Sequence, residues 1–388
     1  MRLVLSGGGT GGHIIPNIAL IHELKERSSQ RPDAQLELLY IGSRNGMEKK
    51  MIEDLHVPYY GISTGKLRRY FSLQNFIDVF KIPIGFVQAL IKLIGFKPKV
   101  VFCKGGYVCF PLVMAARLLK IPVILHESDV TPGLANKLSA RFATTICISF
   151  EESRKFFHGN KKIVLTGNPV RKELMFGNKE DGLRFVDFNE DKPILLFMGG
   201  SLGAEFINEF VWKNLDRLLI HYQVVHICGQ GKSKSPEELL KLLDEKRKKN
   251  LSRYRIFNFV QQELKDLYAL ANVIITRAGA ITLSEIDFFD KPAILIPLPA
   301  KNVSRGDQIE NAKIFAKHHL CAILQQDEFT DEQFFDELKH LLQPGLKDSI
   351  PAKRKELASL AAEAGTSRVV PKTTALQKIA NLIENIGK

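Results

Sequence analysis

The chain has 388 residues, enough for two domains with separate cores. Its 45% hydrophobic and 25% charged content is that expected of an ordinary soluble globular protein. Five scattered cysteines (Cys103, Cys109, Cys147, Cys228, Cys321) form no C-x-x-C pair, and no secretory signal opens the chain, so a reduced, cytoplasmic protein is expected. The net charge of +13 is uneven. Residues 1–163 hold 23 of the 55 Lys and Arg but only 12 of the 42 Asp and Glu, so an acidic partner is expected to belong to the first half. No basic run interleaved with stacking aromatics tracks a nucleic-acid strand.

In chain order, "RLVLS" (2–6) predicts a short strand that ends in the glycine run "SGGGTGGH". "IIPNIALIHELKE" (14–26) then carries helical spacing at Ile14, Ile18, Ile21 and Leu24. "LELLYIG", "KVVFCKGG" and "IPVILHES" predict further strands, with helical stretches such as "FPLVMAARLLK" between some of them. The rhythm restarts at "PILLFMGGS" (193–201) and continues through "QVVHICGQG", "RIFNFV", "NVIITRAGA" and "AILIPLP". Alternating strands and helices imply right-handed crossovers and parallel sheets, and two series imply two doubly wound domains. A hinge is expected in "VLTGNPVRKEL" (164–174), and "TTALQKIANLIENI" (373–386) predicts an amphipathic terminal helix.

Open parallel sheets bind ligands beyond the carboxyl ends of their strands. Glycine-rich turns fall at that place in "SGGGTGGH", "KGGYV" (104–108) and "GGSLGA" (199–204). Bare backbone there lets a ligand approach closely, and the next helix offers free N–H groups to an anion. Gly7, Gly9 and Gly12 satisfy G-x-G-x-x-G, and Arg44 after the second strand would suit NADP, which makes an oxidoreductase one rival reading. That reading leaves the second glycine turn unexplained. A nucleotide-sugar-binding or scaffold protein is the non-enzyme rival. His13 directly follows the glycine run, where its ring could meet a ligand. Arg277 and Gly279 precede Thr282, Ser284 and Glu285, and Asp307 and Gln308 open a further helix. No D-x-D and no metal-ligand spacing occurs, so metal-free chemistry without a cofactor is expected.

"GGGTGGHIIPN", "KGGYVCFP", "HESDVTPGLANK", "TGNPVR", "GGSLGA", "RAGAITLSE" and "GDQIENA" occur in the order found in the MurG family, which the chain resembles over nearly its whole length. The resemblance implies the α/β glycosyltransferase B fold, two Rossmann-like doubly wound domains facing across a cleft. It implies an N-terminal acceptor and membrane-facing domain over 1–164, a C-terminal UDP-GlcNAc-binding domain over 165–370, and a terminal helix (371–388) packed back on the first. It also implies inverting transfer of GlcNAc from UDP-GlcNAc to the 4-hydroxyl of MurNAc in undecaprenyl-pyrophosphoryl-MurNAc-pentapeptide (lipid I), forming lipid II for peptidoglycan. A related enzyme acting on another lipid or small-molecule acceptor is the nearest alternative.

Motif by motif, the resemblance implies that Thr10, Gly11 and Gly12 approach a diphosphate and that His13 is the general base. A neutral imidazole near pH 7 suits that task. Tyr107, Glu127, Asp129 and Asn136 are implied as further substrate contacts. Ser201 and Arg171 are implied at the leaving UDP, and the Val260 backbone at uracil. Ala280, Ile281, Thr282, Leu283, Ser284 and Glu285 are implied along the donor sugar and ribose, with Glu285 on the ribose hydroxyls. Gln308, beside Asp307, is implied at GlcNAc. Two departures stand out. "HESD" replaces the "HEQN" of many members, so an ionised Asp129 cannot donate the bonds of an amide. "GDQ" likewise replaces a doubled glutamine, leaving Gln308 alone.

Residues 66–99 hold seven Lys and Arg and one acid, among Phe76, Ile77, Phe80, Ile84, Phe86, Leu90, Ile91 and Phe96. The longest uncharged stretch, "IPIGFVQALI", is too short to span a bilayer. An apolar surface ringed by cations is expected to lie on an anionic membrane, which places the protein peripherally on the cytoplasmic side of the bacterial cell membrane.

Overall fold

The computed structural model describes residues 1–31, 35–65, 73–159, 161–200, 203–300, 306–346 and 374–387, with backbone alone at 73–79. The chain divides into two compact units, Met1–Arg171 with Pro371–Lys388, and Lys172–Val370.

In the first unit, β1 (Arg2–Ser6), β2 (Glu37–Ser43), β3 (Tyr59–Ile62), β4 (Val100–Cys103), β5 (Val123–Glu127), β6 (Thr145–Ile148) and β7 (Lys162–Leu165) form one sheet. Every pair is parallel, in the order β3-β2-β1-β4-β5-β6-β7. The strands are nearly continuous apolar runs because both faces are covered. Leu3 and Leu5 face a core with α1 (Gly11–Ser29). Val4 and Val101 face another with α3 (Leu73–Phe96) and α4 (Cys109–Leu118). The short helices α2 (Glu48–Glu53) and α5 (Leu134–Ala140) follow β2 and β5.

The second unit repeats the plan with β8 (Ile194–Met198), β9 (Gln223–Ile227), β10 (Tyr254–Phe257), β11 (Val273–Thr276), β12 (Ala293–Leu295) and β13 (Cys321–Ile323). Their order is β10-β9-β8-β11-β12-β13, again all parallel. The helices are α6 (Lys179–Val186), α7 (Glu205–Lys213), α8 (Leu215–His221), α9 (Pro236–Leu240), α10 (Leu264–Leu270), α11 (Ala280–Phe289), α12 (Asp307–Ala316) and α13 (Asp331–Leu341). Ile207, Phe210, Leu218, Phe334 and Leu338 of α7, α8 and α13 close one face of this sheet over Leu195, Phe197 and Ile275.

The strand order reverses once in each sheet, between β1 and β4 and between β8 and β11. The turns leaving those four strands are the ones with room for a ligand. They are the segments after Ser6, Cys103, Met198 and Thr276, three of them glycine-rich and the fourth "RAGA".

The chain returns to the first unit in α14 (Ala375–Ile386), capped by Thr374, whose hydroxyl accepts from the Gln377 N–H. Leu376, Ile379, Ala380 and Ile383 are buried on one side of it, with Leu20, Ile21 and Leu24 of α1 in the same core. Arg27 donates to Asn381 at 2.6 Å, and both Arg27 and Arg31 pair with Glu384. Ile379→Ala should destabilise the first unit by about 2–4 kcal/mol, as cavity-forming changes do. Urea unfolding of the variant should show that loss in the first unit's transition alone.

Candidate active site

In the first unit the ends of β1 and β4 carry the segments 7–12 and 104–108. Thr10 is in extended conformation and directly precedes α1, so Gly11, Gly12 and His13 form that helix's first turn. His13 is partly exposed there. The Tyr107 ring lies directly against the Gly9 α-carbon. Gly105 has φ +115°, and a methyl group on it would come 3.1 Å from Asn136 Nδ2 and 3.2 Å from His13 Cε1. A glycine is therefore required between His13 and Asn136. Behind the first turn, Tyr40 donates to the Gly7 carbonyl at 2.5 Å, and Asn17 donates to Ser6 O and to Tyr40. Glu48, fully buried, accepts from the Ser43 N–H at 2.9 Å and the Ser43 hydroxyl at 2.7 Å.

Glu127 ends β5 and is buried. Its carboxylate accepts from Asn136 Nδ2 at 2.8 Å, from the Asp129 N–H at 3.0 Å and from the Gly133 N–H at 3.3 Å. Burial, then the Asp129 charge, pushes its carboxyl up to about 7. Beside it lies a buried cation that the motif reading overlooked. Lys104 is fully buried, and its ammonium donates to Ser128 Oγ, to His126 Nδ1 at 3.0 Å and to Asn168 Oδ1 at 3.4 Å. Burial lowers it to about 8, against the pull of Glu127 and Asp129. His126 then donates from Nε2 to the Gly167 carbonyl at 2.9 Å. Burial and the neighbouring ammonium hold the ring neutral, well below its usual range. Lys104 thus joins the β4 turn, the "HESD" segment and the "TGN" segment. A charged residue at the end of an apolar strand was the one signal of it in the sequence.

In the second unit the switch point opens onto a cavity of about 680 Å³. Gly200, Gly203, Arg277, Thr282, Gln308 and Gln326 are among its walls. Gly203, at φ +76°, packs onto β9, where a methyl group would stand 2.2 Å from the Cys228 carbonyl. Arg277 spans the wall, donating to Ile296 O at 3.0 Å and to Gln326 Oε1 at 2.7 Å. Burial lowers its basicity. The Gln308 side chain accepts from the Leu298 N–H at 2.9 Å. Gln326 carries no motif and lies 49 residues from Arg277, so only the fold brings the two together.

The remaining donor candidates lie around this cavity's elements rather than on its wall. Ala280, Ile281, Leu283, Ser284 and Glu285 follow Gly279 along α11, and Ser284 donates to the Ala280 carbonyl. Glu285 is buried and accepts from Tyr268 at 2.7 Å. Asp307 is the first residue of α12, and Val260 is buried in the segment after β10. Arg171 is partly exposed and is the last residue of the first unit's long segment. Ser201 lies outside the described residues. Among the described residues, no group of His, Cys, Asp and Glu could hold a metal ion.

On α3, Gly85, Ala89 and Leu93 face the core, and Phe86, Leu90 and Phe96 pack partly against it. Phe80, Ile84, Val87, Ile91 and Ile94 form the opposite stripe, each half or more exposed. Of the residues expected on a membrane face, Phe80, Ile84 and Ile91 are in this stripe and Phe86, Leu90 and Phe96 are not. Val87 and Ile94 join it. Lys66, Arg68, Arg69 and the side chains of Phe76 and Ile77 lie outside the described residues. Among the described residues, no helix is long and apolar enough to cross a membrane.

Two Rossmann-like units with glycine turns at their switch points are the architecture of proteins that bind a ligand at the end of each sheet. Residues 3–148 match the glycosyltransferase family 28 N-terminal domain and residues 194–367 its C-terminal domain. The chain belongs to glycosyltransferase family 28. A Clostridium perfringens protein named UDP-N-acetylglucosamine--N-acetylmuramyl-(pentapeptide) pyrophosphoryl-undecaprenol N-acetylglucosamine transferase is 45% identical over 340 residues, 88% of this chain and 90% of its own length. A Clostridium botulinum protein of the same name is 46% identical over the same shares. The crystal structure of Acinetobacter baumannii MurG matches with a TM-score of 0.71 and 25% identity, covering 99% of both chains. The resemblance drawn from the seven motifs thus extends to whole-chain similarity.

With its carboxyl raised from 4.5 to about 7, Glu127 takes up a proton on folding over that window. The stability this contributes is full below pH 4.5 and is lost as pH rises through 7. The lowered Lys104 acts oppositely and higher, its contribution being lost as pH falls through about 8. From pH 5 to 7, Glu127→Gln should lose on the order of 2 kcal/mol less stability than the wild type. Denaturant titrations in which wild type and variant lose the same stability between pH 5 and 7 would be inconsistent with this account.

Proposed function

We propose that this chain transfers GlcNAc from UDP-GlcNAc to the 4-hydroxyl of MurNAc in undecaprenyl-pyrophosphoryl-MurNAc-pentapeptide, forming lipid II. The reading rests above all on the 45% identity to an enzyme of that name over 88% of the chain, with the glycine motifs of both halves present in the sequence. The first unit is the acceptor domain and the second the donor domain. UDP lies in the cavity below Gly200 and Gly203, with Thr282 and Gln308 toward the sugar, Glu285 at the ribose and the Val260 backbone at the base. Thr10, Gly11, Gly12, Tyr107 and the Glu127–Asn136 pair hold the acceptor.

His13 takes the proton of the attacking hydroxyl. The new bond forms between that oxygen and C1 of GlcNAc, while the bond from C1 to the β-phosphate oxygen breaks and its electron pair leaves with UDP. Attack opposite the leaving group inverts the sugar. The growing charge on the diphosphate is met by backbone N–H groups, the start of α7 and nearby cations, without a metal. Purified protein should make product from UDP-GlcNAc and a lipid I analogue in the presence of EDTA. His13→Ala should lower kcat by about 10²–10⁴-fold while UDP binding holds. Turnover near wild type in that variant would reject the base assignment. Absence of product with donor binding intact would redirect the reading to another acceptor.

The exposed stripe of α3 supports the membrane side of this proposal. Five apolar residues on one face, in a half of the chain rich in Lys and Arg, suit the cytoplasmic face of an anionic bilayer. The protein is then peripheral. Replacing Ile84 and Ile91 together by Ser should weaken binding to anionic phospholipid vesicles by about tenfold or more. Thermal stability should stay unchanged, since neither side chain is in the core. Equal sedimentation of variant and wild type with vesicles would remove α3 from the docking face.

A further inference from the structure

Tyr268 makes a contact that the reaction above leaves unexplained. It stands on α10, wholly buried, and its hydroxyl donates to Glu285 Oε2 at 2.7 Å. Its ring stacks on Phe289, with centroids 5.2 Å apart and planes 11° from parallel. Glu285 and Phe289 are four residues apart and so share one side of α11. One tyrosine is therefore gripped at its ring and at its oxygen by a single helix face. Glu285 follows Thr282, a wall residue of the cavity, by three positions and so lies one helical turn behind that wall on α11.

A buried phenol and a buried carboxylate each need a hydrogen-bond partner, and here each supplies the other. The bond also fixes which way the carboxylate plane faces. A glutamate otherwise retains several rotamers, and two adjacent sugar hydroxyls are recognised well only by a carboxylate held in one of them. We infer that Tyr268 is the positioning residue for Glu285, and that through it the donor site distinguishes a ribonucleoside diphosphate from one lacking its ribose hydroxyls. The inference rests on the reading of Glu285 as the ribose contact.

The test is calorimetric binding of UDP and of 2′,3′-dideoxy-UDP to the full chain. The proteins compared are wild type, Tyr268→Phe, Glu285→Gln and the double variant. Phenylalanine keeps the ring on Phe289 and removes only the hydroxyl. The wild type should prefer UDP, and Tyr268→Phe should cut that preference by about five- to tenfold, the worth of one hydrogen bond. Its affinity for the dideoxy compound should not change, and its kcat at saturating UDP-GlcNAc should stay near wild type. Glu285→Gln should abolish the preference, and the double variant should be no worse than Glu285→Gln alone. If Glu285→Gln discriminates as well as wild type, the ribose reading fails and the inference with it. If Glu285→Gln loses discrimination while Tyr268→Phe keeps it, the ribose reading stands and the inference is overturned. Equal weakening of both ligands by Tyr268→Phe, or its failure to fold, would make the hydroxyl a requirement of the fold alone and overturn the inference equally.

Discussion

The reversal of strand order at β1/β4 and at β8/β11 is the constraint on which the rest of this structure depends. Parallel strands bury both faces, so helices must cover both, and the crossovers must leave the sheet in opposite directions on the two sides of one strand pair. The two loops leaving that pair diverge, and neither crossover covers the gap between them. Whatever ligand a unit takes must meet backbone there first. Gly105 and Gly203 in these loops have positive φ and sit where a methyl group would strike a side chain or a carbonyl of the chain itself, so the packing of the loops requires glycine there. The same constraint acts twice in this chain and produces two sites with different linings.

In the first unit, what lies under the backbone is charged. Glu127 and Lys104 are both buried, and desolvation moves them toward neutrality from opposite sides. Neither is a bare buried ion, since amide, hydroxyl, imidazole and backbone groups surround them. An isolated ion of either sign would be far costlier to bury than this cluster. The arrangement also gives physical sense to Asp129, which stands where an amide is more usual. Its charge raises Glu127, and the buried ammonium of Lys104 attracts both acids. Asp129 therefore belongs to a coupled set with Glu127 and Lys104 and is not a lone negative charge.

The parts of the molecule legible from sequence were those whose signal is local. Apolar runs that stop at glycine gave the strands and their turns, and helical spacing gave α1 and α14. The whole-chain resemblance added the roles. Contacts made by the fold alone were out of reach. Tyr268 and Glu285 are 17 residues apart, Arg277 and Gln326 are 49 apart, and neither pair has a spacing rule behind it. Lys104 was hidden for a different reason: lysine is almost never fully buried, so its place at the end of an apolar strand was a weak signal. On α3 the difficulty was an excess of signal. Both sides of that helix are apolar, and composition cannot tell Phe86, which packs inward, from Phe80, which does not.

The second unit's cavity, where we place UDP, offers a diphosphate no net positive charge. Lys232 and Arg277 line it, and so do Glu205 and Glu209, so its ionised side chains nearly cancel. Arg277 is further committed to two carbonyls and Gln326. Groups that carry no formal charge then have to act beside these cations in attracting an anion. The first N–H groups of α7 are such groups, held by the helix before any ligand arrives. Fixed dipoles of this kind need no rearrangement as charge builds on a leaving phosphate, whereas a flexible lysine must lose rotamer freedom to reach it. A cavity built this way binds the diphosphate by direction more than by charge. It therefore loses less to salt than a cluster of surface cations would.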